Sequence, residues 1–157
     1  VKNFQSSKGL AADGVVGPNT WNALHAGIAP APTASCVNPA PSGRPDALTT
    51  DQNLTAGQAL VSSNGQYSLF MQHADANLVL RNKCGTPIWS SNRFATNVNP
   101  RLTLQKDGNL VIYGNNGAVW GSDTVGKGGV KLLVQNDGNL VLYSNSGAVW
   151  ATNTVGR

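Results

Sequence analysis

The chain has 157 residues, enough for one moderate domain or for one domain and a fragment. Only 11% of them are charged and 18 are glycine, a composition that argues against a long-helix protein and for short strands joined by tight turns. The net charge of +4 is scattered with no run of Lys or Arg, which argues against nucleic-acid binding, and no stretch reaches the apolar length of a membrane span; solubility, with weak attraction to an anionic surface such as a cell wall, is what the charge offers.

The chain opens on "VKNFQSSKGL" without a Met, as expected of a processed or truncated product. Within residues 1–27, Asp13–Gly14 and Gly17–Pro18 are turn signals. Asn19 or Thr20 can start a short helix that carries Trp21 and Leu24 at i, i+3. A stretch this short cannot bury a core of its own. Its Val1, Phe4, Gln5, Gly9, Leu10, Asp13, Gly14, Val16, Gly17, Pro18, Thr20, Trp21, Ala23 and Leu24 form a pattern. That pattern resembles the second half of the small helical peptidoglycan-binding domain of bacterial wall hydrolases. The resemblance implies a bacterial origin and the bacterial cell wall as a partner.

Residues 28–47 read as a linker. Pro30, Pro32, Pro39, Pro41 and Pro45 alternate with small residues, which can build neither a helix nor a ladder and give an extended spacer. Cys36 lies inside it, and the second cysteine is Cys84. Their spacing is not that of a zinc site. Two cysteines in a Gly- and Asn-rich chain suggest one Cys36–Cys84 disulfide in a secreted protein; the alternative is two free thiols in a cytosolic one.

Residues 48–157 are repetitive. Asn77, Asn109 and Asn139 are 32 and 30 residues apart, and Trp89, Trp120 and Trp150 are 31 and 30 apart. "KDGNLVIYGNNGAVWGSDTVG" and "NDGNLVLYSNSGAVWATNTVG" are close copies, while "HADANLVLRNKCGTPIWSSN" diverges. In the middle unit "RLTLQ" predicts a strand and Asp107–Gly108 a turn. "NLVIY" then predicts a second strand, Asn115–Gly117 another turn, and "AVW" a third strand. Each unit is thus expected to be a three-stranded meander. Alternation sends Leu110 and Ile112 to a core face and Asn109, Val111 and Tyr113 to the other, with Gln105 and Asp107 returned beside Asn109 by the hairpin. A lone three-stranded sheet cannot cover its apolar face. Three of them can, around a pseudo-threefold axis filled by Trp89, Trp120 and Trp150 as structural core.

Gln105, Asp107, Asn109, Val111 and Tyr113 offer a carboxylate, amide donors and acceptors, a phenol and a methyl surface, the complement of a hexose. This Gln-x-Asp-x-Asn-x-Val-x-Tyr pattern, intact again as Gln135, Asp137, Asn139, Val141 and Tyr143, resembles the mannose-binding motif of the bulb-type (monocot) mannose lectins. The resemblance implies an all-β fold, the type II β-prism of three four-stranded sheets, with one sugar site per sheet. It also implies roles. Asp107 and Asn109 would hold the axial 2-hydroxyl of mannose, Gln105 the 3-hydroxyl and Tyr113 the 4-hydroxyl, with Val111 against the ring carbons and the third repeat acting likewise. The first repeat departs from the pattern. It keeps Asp75, Asn77 and Val79, but His73 stands at the Gln position and Arg81 at the Tyr position, so this site is expected to be weak or degenerate. Gln72 lies one residue early, where a bulge would still present it, and His73 reads as an exposed turn residue.

The two resemblances together imply a secreted bacterial protein, bacterial by its first 27 residues, that binds α-mannose-type glycans without catalysis, cofactor or metal; the scattered charge and the lack of a long apolar stretch argue against nucleic-acid and membrane partners. A homodimer formed by exchange of a C-terminal strand, as in related lectins, fits a chain that ends at "TNTVGR". The alternative is a cell-wall-associated targeting or protein-interaction module, bacteriocin-like or an inhibitor, that keeps the lectin fold. An enzyme would need groups the motifs do not supply. One carboxylate per repeat is too few for a two-carboxylate glycosidase, and His25 and His73 have no obvious Ser or Cys partner.

Overall fold

A computed structural model describes residues 44–95 and 99–157. The helical segment expected within 1–27, nearly all of the linker and Cys36 lie outside the described residues, and with Cys36 goes the pairing proposed for Cys84.

The described residues form twelve strands and no helix. In chain order these are β1 (Ala47–Thr49), β2 (Asn53–Thr55), β3 (Ala59–Val61), β4 (Tyr67–Met71), β5 (Leu78–Asn82) and β6 (Pro87–Ser90), then β7 (Arg101–Leu104), β8 (Leu110–Gly114), β9 (Gly117–Gly121), β10 (Lys131–Val134), β11 (Leu140–Ser144) and β12 (Gly147–Ala151). They make three four-stranded antiparallel sheets, ordered β3-β4-β5-β6, β2-β7-β8-β9 and β1-β10-β11-β12. This is the type II β-prism.

The meander read from each repeat supplies three of the four strands. The fourth comes from a run of short strands between residues 47 and 61, a correction to the three-stranded unit. The run is a six-residue period, "ALTTDQ" then "NLTAGQ" then "ALV". Each step sends one Leu inward: Leu48, Leu54 and Leu60 are all buried. It then turns a corner into the next sheet. At each of the first two corners a glutamine closes the turn: Thr49 N–H donates to Gln52 Oε1 and Thr55 N–H to Gln58 Oε1, both at 2.8 Å. Asp51 and Gly57 take the positive φ that the corner requires, 67° and 80°. One stretch of chain therefore threads β1, β2 and β3 onto the third, second and first repeats in that order.

The core repeats in threes. Leu69, Leu102 and Leu132 are equivalent, as are Met71, Leu104 and Val134; Leu78, Leu110 and Leu140; and Leu80, Ile112 and Leu142, all buried. Trp89, Trp120 and Trp150 pack against this core. Their rings meet edge to face in a near-equilateral triangle, with centroids 5.8, 6.0 and 6.1 Å apart and planes inclined at 73–79°. Aromatic rings favour this arrangement because the positive edge of one meets the negative face of the next.

Candidate functional site

Each outer face is built by the two central strands of a sheet and the hairpin between them. In the second repeat the hairpin is closed by Gln105 N–H to Asn109 O at 2.9 Å. Asp107 Oδ1 accepts from Asn109 N–H at 2.9 Å, and Gly108 turns the chain at φ 84°. The ladder between β8 and β9 shifts register between Ile112 and Tyr113, a bulge immediately before the phenol. Gln105 Nε2 donates to Tyr113 Oη at 2.7 Å. Val111 is buried beneath them.

The third repeat reproduces this. Gln135 Nε2 donates to Tyr143 Oη at 2.7 Å, Asn139 N–H to Asp137 Oδ1 at 2.9 Å, and Val141 is buried.

The orientation of the asparagine is set by residues that sequence reasoning did not single out. Asn109 Oδ1 accepts from Ser122 Oγ at 3.2 Å and from Thr124 N–H at 3.1 Å. Asn139 Oδ1 accepts from Thr152 Oγ1 at 3.1 Å and from Thr154 N–H at 3.2 Å. The two threonine hydroxyls also tie down the turn glycines: Thr124 Oγ1 donates to Gly108 O at 2.8 Å and Thr154 Oγ1 to Gly138 O at 2.6 Å. The signal was present in "GSDTVG" and "ATNTVG", a hydroxyl residue two positions after the Trp and Thr four positions after it.

With the amide oxygen occupied, Asn109 Nδ2 is the end left to face outward. Tyr113 Oη accepts from Gln105, so its own proton remains available. Asp107 is exposed at the rim, with Oδ2 uninvolved in the turn. The face thus presents a carboxylate acceptor, an amide donor, an amide acceptor from Gln105 and a hydroxyl donor over an apolar floor. An open cleft of about 420 Å³ runs between Gln105, Asn109, Val111 and Tyr113 on one side and Ala118–Gly121 of β9 on the other. A larger cavity, about 590 Å³, lies among β1–β3 and holds none of the motif residues. Among the described residues no three of His, Cys, Asp and Glu gather to hold a metal.

The first repeat is built differently. Its hairpin has one more residue: Gln72 N–H donates to Asn77 O at 3.0 Å, as Gln105 does to Asn109. Met71 pairs with Leu78 as Leu104 pairs with Leu110. Gln72, not His73, therefore occupies the structural position of Gln105. His73 is exposed on the turn and packs over Gly57, where a Cβ would stand 2.7 Å from its Nε2. Asp75 Oδ1 still accepts from Asn77 N–H at 3.1 Å, Asn77 Oδ1 from Ser91 Oγ at 3.0 Å, and Val79 is buried. Arg93 stands where Thr124 and Thr154 stand in the other repeats.

Residues 1–24 match the family model of the peptidoglycan binding domain. A 63-residue stretch is 46% identical to the mannose-specific lectin of Aloe arborescens, covering 40% of this chain and 56% of that one, so the chain spans about half the length of this curated relative. Among solved structures, it is similar to a monomeric monocot mannose-binding lectin from Gastrodia elata, with a TM-score of 0.62 and 39% identity over 70% of this chain and 98% of that one. It is also similar to the snowdrop (Galanthus nivalis) mannose-specific agglutinin complexed with methyl-α-D-mannoside, with a TM-score of 0.54 and 34% identity over 69% of this chain and 96% of that one.

Proposed function

The chain belongs to the bulb-type mannose-binding lectin family, and from that premise we propose that it is a secreted, non-catalytic lectin for α-mannose-type glycans, with working sites in its second and third repeats. In each, Asp107 or Asp137 and Asn109 or Asn139 grip the axial 2-hydroxyl. Gln105 or Gln135 takes the 3-hydroxyl and Tyr113 or Tyr143 the 4-hydroxyl, while Val111 or Val141 lies under the ring. The observation that carries this reading is that the same hydrogen-bonded network recurs in both repeats and leaves the same outward donors and acceptors. The likeness to mannose lectins, one of them complexed with a mannoside, supports the choice of sugar.

Reversible binding is all these groups provide, and two sites per chain raise avidity on clustered glycans. A monosaccharide of about a dozen heavy atoms at about −0.3 kcal/mol each binds at roughly millimolar Kd. The match of residues 1–24 to the peptidoglycan binding domain supports a bacterial, wall-associated setting. It also favours a second reading, in which the prism is a targeting or protein-interaction module on the cell wall. Export is compatible with a Cys36–Cys84 disulfide.

The test is a calorimetric or NMR titration with methyl α-mannoside into the tens of millimolar, on the wild type and on Asn109→Ala/Asn139→Ala. Saturable binding of two equivalents, lost in the double variant, is expected. No binding to the wild type would discard the mannose reading and leave the targeting one.

A further inference from the structure

In repeats two and three the glutamine donates to a phenol. In the first repeat its counterpart meets a guanidinium, and the polarity reverses. The neighbours of the Gln72 amide assign its orientation, since only one choice gives each end a partner: the oxygen then accepts from Arg81 Nη2 at 3.1 Å and the nitrogen donates to Oδ1 and Oδ2 of Asp75, both at 3.1 Å. In all three repeats the aspartate Oδ1 accepts from the asparagine N–H; the Oδ2 that is uninvolved in the turn of the other two repeats is here engaged by Gln72. The glutamine oxygen here already accepts from a cation.

Arg81 itself is under-used. It forms no ion pair with a carboxylate among the described residues, where the ion pair present is Lys106–Asp51. Its Nε is buried with no acceptor. Its guanidinium carbon lies over the Phe70 ring, 5.7 Å from the centroid, within cation–π range. A sheet face rich in donors and short of acceptors calls for a ligand that brings acceptors.

The surrounding charge points the same way. Between Gln72 and Ala95, Arg81, Lys83 and Arg93 stand against Asp75 alone. At the positions of those three cations the second repeat has Tyr113, Asn115 and Thr124, and the third has Tyr143, Asn145 and Thr154. All three departures are neutral to basic, and all lie in the one repeat whose motif is broken.

We propose that the outer face of the first repeat binds an anionic saccharide of mannose configuration, its negative group at C6 or O6 taken by Arg81. This rests on the lectin reading of the other two sites. On a pyranose ring O4 and C6 are carried by the adjacent carbons C4 and C5, so a sugar seated with O4 toward position 81 carries its C6 substituent alongside. Asn77 and Val79 keep the contacts to the 2-hydroxyl and ring. A uronate and a 6-phosphate share the chemistry that Arg81 recognises.

The experiment uses the full chain and three probes: methyl α-mannoside, its uronate, and its 6-phosphate. In Asn109→Ala/Asn139→Ala, at least one anionic probe saturates at one equivalent, at least about tenfold tighter than the neutral mannoside and weakening as salt is raised. Adding Arg81→Tyr abolishes that binding and raises affinity for the neutral probe. Arg81→Gln, which retains a hydrogen-bonding side chain, also abolishes it and guards against a folding defect in the first variant. The preferred probe identifies the source of the charge. If neither anionic probe exceeds the neutral one, or if both Arg81 variants bind it unchanged, the proposal is overturned. Neutral binding to the wild type at the other two sites is read separately, so failure of the mannose reading is distinguishable from failure of this one.

Discussion

The first and second repeats share a backbone and differ in what holds their hairpins. In the second, the turn is Asp107–Gly108–Asn109, and Gly108 comes so close to the next corner that a Cβ on it would lie 2.6 Å from Gly129 N. In the first, the hairpin is one residue longer, and the equivalent position is Ala76, buried at φ 58° with its Cβ accommodated. The tight turn leaves Asp107 exposed at the rim, while the longer one brings Gln72 onto the Asp75 carboxylate. A single inserted residue therefore goes with a different set of free donors and acceptors, on strands that otherwise superpose in register. In this fold the sheet face is generic and the hairpin sets the chemistry.

The largest expected effect comes from forcing one turn toward the other. Gly108→Ala must place a side chain at φ 84° and against backbone that cannot step aside. It should destabilise the prism by about 3 kcal/mol or more, read by urea unfolding. Ala76→Gly should stay within about 1 kcal/mol. Equal costs at the two positions would mean that the two hairpins are not built as differently as their lengths indicate.

A smaller effect separates the ledges behind the asparagines. Thr124 is fully buried, and its hydroxyl donates to Gly108 O. Thr124→Val leaves that carbonyl without its partner and should cost about 1–2 kcal/mol by thermal or urea unfolding. Arg93, at the same position of the first repeat, is exposed. Arg93→Ala should change stability by no more than about 0.5 kcal/mol. A comparable loss at both would show that the ledge is not what distinguishes the intact repeats.

The comparison also explains what could be read from the residues alone. The meanders were legible because "NLVIY" and "NLVLY" alternate faces and are bounded by Asp-Gly turns. The Trp spacing and the five-residue motif were legible because they recur. The strands β1–β3 were not read, because a three-residue strand with one inward Leu is too short for its period to register; only the six-residue return of Leu48, Leu54 and Leu60 marks it. The Ser122/Thr124 and Thr152/Thr154 ledges escaped because they bond to the motif from fifteen or so residues away. Such small hydroxyl residues look like ordinary loop polarity until the hairpin is closed. The displacement of His73 by Gln72 needed the register of Met71 with Leu78, which spacing alone does not fix.

The finest distinction lies between the two intact repeats themselves. Tyr113 and Tyr143 each accept from a glutamine at 2.7 Å. Tyr113 also has Arg101 stacked 4.9 Å from its ring centroid, where the third repeat pairs Tyr143 with Lys131. Removing only the hydroxyl leaves the stacking in place, so Tyr113→Phe and Tyr143→Phe should each change stability by less than about 0.5 kcal/mol. Each should weaken mannoside binding at its own repeat about three- to tenfold, one hydrogen bond's worth, and leave the other repeat untouched. Residue-resolved NMR titration separates the two sites. If Tyr113→Phe is silent in binding while Tyr143→Phe is not, the guanidinium over the first ring is contributing what the phenol contributes in the other, and the two repeats are not functional duplicates.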